Sequence, residues 1–411
     1  MAGATQTSEE LWTFVSAILH NEPRRLVLHL KIIDSVFINA IVEPERYGPE
    51  SFESRLINSY AKDGKVAKGS WTNLAIDKIL TLCWRKYGTH APRFAANIRV
   101  WSSRLGLHVA EEVDYLLLRA LEPASAIFGD MPIPQLVPST RLQTVVKAGS
   151  FFLPNTRHVV HNGREYVAKG PIYPTRVGYD YQEIRNLLAI PGRHPSIIPP
   201  PSALITVSET DHRICGFLMQ YYCNGNLDTY AQTLHKRGDL TAKLLSKWFK
   251  QLVAAVRFLE SNGNWHGDIK PDNILVDEDE NIVLTDFAQA FATSATASPE
   301  VQVYLKDHAA RTDVTAVGIP QNWELDRVVA SEVYSIGRTM YLVSEGVSML
   351  EIYRTCGWVN HDHLFSNQLT TTTPETVQKV ISQCLITSTS KRISLEELWK
   401  AVCDLESSTD S

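Results

Sequence analysis

His266-Gly267-Asp268-Ile269-Lys270-Pro271-Asp272-Asn273 is the stretch on which the reading of this 411-residue chain turns, and Ile282-Val283-Leu284-Thr285-Asp286-Phe287-Ala288 completes it. The polar residues between the two read as the turn of a short buried hairpin. Two carboxylates and a carboxamide are thereby set on loops beside that hairpin. Hard oxygen ligands of this kind suit Mg²⁺, which keeps few protein ligands and shares the rest with phosphates. The remaining carboxylate can take a proton from an attacking hydroxyl, while the lysine neutralises charge on a moving phosphoryl group. A polar surface hairpin without chemistry is the plainer alternative, and the combined spacing speaks against it.

Working upstream, residues 240–259 form a long amphipathic helix, with Leu244, Leu245, Trp248, Leu252, Val256 and Leu259 on one face. Earlier still, Arg157 to His161 and Arg164 to Ala168 alternate like strands. Asn162-Gly163 joins them, and both residues accept the positive φ of a two-residue hairpin turn. Residues 122–138 carry Pro123, Pro132, Pro134 and Pro138 without any period, which reads as an interdomain linker. Before it, apolar residues recur at three- and four-residue spacing in Leu11, Phe14, Val15, Ile18 and Leu19. The spacing returns in Leu26, Leu30, Ile33, Val36 and Phe37. That periodicity predicts an all-α domain over residues 1–121, including a helix that begins after Ser70 as N-cap.

Composition bounds the function. Lys plus Arg is 40 against 45 for Asp plus Glu, a net charge of −5, so no basic footprint points to nucleic acid or an anionic membrane. The six cysteines, at 83, 215, 223, 356, 384 and 403, form no C-x-x-C pair and read as reduced thiols. The opening MAGATQTSEE has no basic region ahead of an apolar run, so a secretory signal is not expected. The most apolar stretch, residues 26–42, holds His29, Lys31, Asp34 and Asn39, which argues against a membrane span. A cytoplasmic or nuclear location is expected. Residues 406–411 read as a flexible tail.

Over residues 139–405 the chain resembles the eukaryotic protein kinase-like family, Ser/Thr type. The catalytic-loop pattern H-R-D-x-K-x-x-N is met by His266, Asp268, Lys270 and Asn273. The D-F-G motif is met by Asp286-Phe287, with Ala288 at the glycine. Tyr166-Val167-Ala168-Lys169 looks like the strand whose lysine holds the α- and β-phosphates, and Glu183 is then its ion-pair partner. The segment from Phe217 to Leu227 looks like the adenine hinge. There Met219 would be the gatekeeper, the backbones of Gln220 and Tyr222 would bind adenine, and Asn226 would reach the ribose. Gly149 falls in the place of the glycine-rich loop. Glu332-Val333-Tyr334-Ser335-Ile336-Gly337 is similar to the family's D-x-W/Y-S-x-G, and Cys384-Leu385 with Lys391-Arg392-Ile393-Ser394 resembles the end of the C-lobe. No clean A-P-E is seen; Ile319-Pro320-Gln321 is nearest, with Glu324 to serve.

The resemblance implies an α+β, two-lobed kinase-like fold behind the all-α N-terminal domain. It implies ATP and Mg²⁺ as cofactors, with Asn273 and Asp286 on the metal. Asp268 would deprotonate a Ser or Thr hydroxyl of a protein substrate, Lys270 would stabilise the transferring group, and Lys169 and Glu183 would complete the catalytic set. A regulatory partner is expected through the N-terminal domain.

The chain also departs from the family. Around Gly149, Lys147 and Phe152 replace the flanking glycines and Pro154 the usual valine, where a Cβ hinders approach to phosphates. A pseudokinase that serves as a binding or scaffold module is the alternative this supports. Gly267 replaces the arginine that pairs with a phosphorylated activation loop, so control through Ser294, Thr296 or Ser298 is not expected. His-Gly-Asp also occurs in small-molecule phosphotransferases of the aminoglycoside- and choline-kinase type, a second enzyme reading. Cys356, His361 and His363 form only a weak zinc set, without a fourth ligand nearby.

Overall fold

The structure, a computed structural model, describes residues 12–21, 24–32, 36–43, 50–87, 97–103, 106–111, 115–145, 155–171, 174–289, 292–309, 318–320, 322–349, 351–352 and 373–409. Gly149 with its flanking residues 147–152, and Cys356, His361 and His363, lie outside the described residues. The chain divides into two compact units, Met1–Gly178 with Ser202–Tyr221 and Tyr179–Pro201 with Tyr222–Ser411.

The first unit opens with β1 (Trp12–Asn21), β2 (Arg24–Ile32), β3 (Val36–Val42), α1 (Phe52–Asp63), α2 (Trp71–Tyr87), β4 (Asn97–Ser103) and β5 (Gly106–Glu111). The five strands form one sheet in sequence order. All neighbours are antiparallel except β3 and β4, which run parallel because α1 and α2 make the crossover between them. The expectation of an all-α N-terminal domain is therefore corrected: strands open it. Apolar side chains outside the core explain the misreading: Val15 and Ile18, on which the helical spacing relied, are 48% and 49% exposed. The register of β1 against β2 shifts between Phe14 and Ser16, so Phe14, Ala17 and Leu19 all pack on the core. Core-facing Phe14 and Leu19 together with exposed Val15 and Ile18 imitate the three- and four-residue spacing of a helix. In β2 the pair Leu26 and Leu30 fits either period, and Leu28 between them, equally buried, belongs to the strand. α2 begins where the sequence placed it, with Ser70 Oγ accepting from the Asn73 N–H at 3.2 Å.

The chain continues through α3 (Tyr115–Ala120), α4 (Ala124–Phe128), β6 (Leu136–Pro138), β7 (Gln143–Thr144), β8 (Thr156–His161), β9 (Arg164–Lys169), β10 (Ala203–Thr206) and β11 (Ile214–Gln220). These strands form a second sheet in the order β6-β10-β11-β9-β8-β7. The proline-rich stretch is woven into it: β6 pairs parallel with β10, and the Ile214 N–H donates to Glu122 O at 2.8 Å. Asn162 and Gly163, at φ 50° and 74°, make the expected tight turn between β8 and β9.

The second unit is mainly helical. It takes α5 (Val177–Ala189) from Tyr179 onward, α6 (Leu227–Arg237), α7 (Ala242–Ser261), the hairpin β12 (Ile274–Val276) and β13 (Ile282–Leu284), α8 (Pro299–Ala309), α9 (Leu325–Glu345), and helices Glu375–Cys384 and Leu395–Thr409. α7 buries Leu245, Trp248, Leu252, Val256 and Leu259, the face expected from its apolar spacing. Its polar side chains set the hairpin. The Trp248 indole donates to Glu280 O at 2.9 Å, and Gln251 Oε1 accepts from the Ile282 N–H at 2.9 Å. α9 is buried along most of its length and forms the centre of the unit. No helix among the described residues is long and apolar enough to cross a membrane.

Candidate active site

The β12–β13 hairpin carries the quoted stretch at one end. Ile274 pairs with Leu284, and one step further the Thr285 N–H donates to Asn273 O at 2.9 Å. That bond holds Asn273 beside the backbone that leads into Asp286. Asp286 has φ 70°, a left-handed conformation that costs an L-residue about 1 kcal/mol and that Asp tolerates better than most.

Asp268 is held from three sides. Its Oδ1 accepts the Thr293 N–H at 2.7 Å, and its Oδ2 accepts Asn273 Nδ2 at 3.1 Å. Lys270 Nζ lies 2.9 Å from Oδ2 and donates to Thr293 Oγ1 at 2.8 Å. Asp268, Lys270 and Asn273 are thus brought together as the sequence spacing required. The Asn273 amide spends its nitrogen on Asp268, since Nδ2 also donates to Asp268 O at 2.9 Å. Its Oδ1 is left as a hard donor, and with the Asp286 carboxylate it fits a divalent cation.

His266 is fully buried, and burial lowers its pKa and keeps the ring neutral. One tautomer satisfies both nitrogens: Nε2 donates to Thr285 O at 2.7 Å, and Nδ1 accepts the Asp268 N–H at 3.2 Å. The ring meets Phe287 edge-on at 4.8 Å between centroids. Phe287 is further held through its carbonyl, which accepts Asn186 Nδ2 at 2.7 Å. Gln289 bridges the same group, accepting from Asn186 and donating to Trp265 O at 2.5 Å. Sequence reading missed Asn186 and Gln289. The one local signal was that Asn186 lies three residues after Glu183, on the same helix.

Glu332 was expected only within a structural motif. Its Oε1 accepts the N–H groups of both His266 and Gly267, at 2.7 and 2.8 Å. The Pro-Glu pair after Asp286-Phe287 that is tied down is also not the expected one. It is Pro299-Glu300, whose carboxylate takes Arg392 Nη1 at 2.8 Å and Nη2 at 3.1 Å. Glu324 instead stands at the N-terminus of α9. Thr296 and Ser298, just before Glu300, are 1% and 0% exposed.

Of the other expected residues, Lys169 ends β9 and is buried in the first unit, paired in register with Phe217 of β11 and Thr156 of β8. Met219 is buried and Gln220 exposed at the end of β11. Glu183 and Tyr222 are buried in the second unit. Asn226 has a capping role, its Oδ1 accepting the Thr229 N–H at 2.9 Å at the start of α6. Lys169 is positioned by a close strand approach: a Cβ on Gly216 would lie 2.5 Å from Lys169 O. Gly216→Ala must push the two strand backbones apart and is expected to cost about 1–3 kcal/mol. A urea titration with no shift in midpoint would count against that packing.

Comparison with known proteins agrees with this arrangement. The protein kinase domain family matches residues 180–402, more than half of the chain. CBL-interacting protein kinase 15 of Oryza sativa subsp. japonica is 28% identical over 205 residues, covering 44% of this chain and 40% of the relative. CBL-interacting serine/threonine-protein kinase 12 of Arabidopsis thaliana is 29% identical over 171 residues, 38% and 32% of the two chains. A yeast relative, fatty acyl-CoA synthetase and RNA processing-associated kinase 1 of Saccharomyces cerevisiae (strain ATCC 204508 / S288c), is 33% identical over 107 residues, 26% and 11%. The chain thus spans less than half the length of these relatives. With the loop geometry and the family match on the same residues, this chain belongs to the protein kinase domain family.

Proposed function

We propose that the protein is an Mg-ATP-dependent protein kinase that transfers the γ-phosphoryl group to Ser or Thr hydroxyls of a protein substrate. The observation that carries the reading is the setting of Asp268, fixed by the Thr293 N–H and Asn273 with Lys270 Nζ 2.9 Å away. A carboxylate so held can orient an incoming hydroxyl and take its proton, and the adjacent ammonium offsets charge on the transferring group. Asn273 and Asp286 would hold Mg²⁺, which when bound shields the phosphate charge. Lys169 would hold the α- and β-phosphates, with Glu183 as the ion-pair partner the resemblance implies, and Gly149 and the backbones of Gln220 and Tyr222 would supply further nucleotide contacts. Asn226, spent through its oxygen on α6, has its Nδ2 to offer a ribose.

The lysine two residues after the aspartate supports protein over small-molecule substrates. The names of the plant relatives, CBL-interacting kinases, support a regulatory protein partner. Residues 12–111, a β-sheet with two helices, are the surface we assign to it. Cys83, Cys215, Cys223, Cys384 and Cys403 form no disulfide among the described residues, which supports a cytoplasmic or nuclear location.

The scaffold alternative rests on the missing glycines around Gly149, and one experiment separates the two readings. The chain is incubated with γ-labelled ATP, Mg²⁺ and a Ser/Thr-rich protein acceptor, and melting is followed with and without Mg-ATP. Label on Ser or Thr supports the kinase. No label and no rise in melting temperature would leave the scaffold reading.

A further inference from the structure

Glu332 is 2% exposed, and its two oxygens are unequal. Oε1 accepts two backbone N–H bonds from the loop that carries Asp268, whereas buried Oε2 has no hydrogen-bond partner among the described residues. The described groups around it supply no counter-ion. From the loop come His266, which is neutral, and Asp268, which lines a small cavity together with Glu332, Gly267, Thr293 and Ser335. From α7 comes Glu260, a like charge. Arg392 reaches the neighbouring turn at Ala330 O but is neutralised by Glu300, and Arg338 on the same helix turns to Ala295 O. A carboxylate taken out of water without a cation strongly favours its neutral form.

We propose that Glu332 is a positioning residue that works as a proton-operated latch on the 266–268 loop. Ionised, it grips the two amides through charge-assisted bonds; neutral, it keeps only weaker ones. Burial, with Glu260 adding to it, pushes the Glu332 carboxyl up to about 7. The latch therefore operates within the physiological range. Because the folded value lies above the ordinary 4.5, the ionised form carries a stability penalty. That penalty is full above about pH 7 and is relieved as pH falls from 7 towards 4.5. The grip on the loop and the stability of the unit thus run in opposite directions with pH. The inference deepens the kinase reading and rests on it only for the consequence in turnover.

The test uses the full chain and requires no turnover, so it can fail while the kinase reading stands. Glu332→Gln removes the charge and keeps an acceptor for both amides. At pH 8 the variant is expected to melt about 5 °C above the wild type, with the gap closing by pH 5. A gap that is absent, reversed or constant with pH overturns the proposal. The second measurement needs no variant. Hydrogen exchange at the His266 and Gly267 amides of the wild type, corrected for the intrinsic pH effect, is expected to be about tenfold faster at pH 6 than at pH 8. Unchanged protection overturns the latch.

Discussion

Asp268→Asn is expected to slow phosphoryl transfer about 10³-fold while leaving nucleotide affinity unchanged, because a general base contributes about 10²–10⁴-fold. The variant keeps the size of the side chain, and its oxygen can still accept the Thr293 N–H. Its new amide nitrogen, however, would meet Asn273 Nδ2 and Lys270 Nζ, both donors, at the positions now 3.1 and 2.9 Å from Oδ2. The acceptor hydroxyl loses its base, and the Lys270 ammonium loses its counter-charge. Asp286, Asn273 and Lys169 are untouched, so a loss in single-turnover rate with ATP binding intact separates chemistry from binding. Transfer at the wild-type rate would remove Asp268 from the base role.

The largest effect on stability is expected from Arg392→Ala. The side chain of Arg392 is 1% exposed and that of Glu300 14% exposed, and the guanidinium also donates to the carbonyls of Ala330 at 2.6 Å and Ile386 at 2.9 Å. Removing it leaves a largely buried carboxylate and the carbonyls of Ala330, Ile386 and Thr387 without this donor. Breaking one side of a buried pair costs about 3–5 kcal/mol, and for a unit of this size that lowers melting by about 10 °C. The pH dependence follows the same pair. Burial alone would raise the Glu300 pKa, but the hydrogen bonds from Arg392 outweigh it and hold the group below its ordinary 4.5. Its contribution is therefore present above about pH 4.5 and is lost as pH falls through the lower folded value. The Arg392→Ala variant should lack that acid-side loss. Equal melting of the two proteins at pH 7 would show that the pair does not hold the unit together.

The site was legible where its chemistry is local in the chain. His266, Asp268, Lys270 and Asn273 lie within eight residues, and the hairpin that follows fixes Asp286 by its register. Asn162-Gly163 was legible because backbone sterics alone select that turn. What sequence reading missed depends on distant partners. Glu332 meets the loop 66 residues upstream, Asn186 meets Phe287 101 residues on, and Arg392 meets Glu300 across 92 residues. No local pattern encodes these contacts, so Pro299-Glu300 was passed over for Ile319-Pro320. The N-terminal sheet was misread for a different reason. Apolar residues that face the core, Phe14 and Leu19, are interspersed with exposed ones, Val15 and Ile18, and the mixture counts like a helix.

The burial of Thr296 and Ser298 bears on the history of the molecule. A modifying enzyme must grip a hydroxyl with several residues around it in extended form, and neither side chain offers that while the segment is folded. Phosphate found on Thr296 would have been added before the chain folded or during an excursion out of the native state. Such a mark records how a given copy matured, and its abundance would measure lapses in folding rather than a signal received.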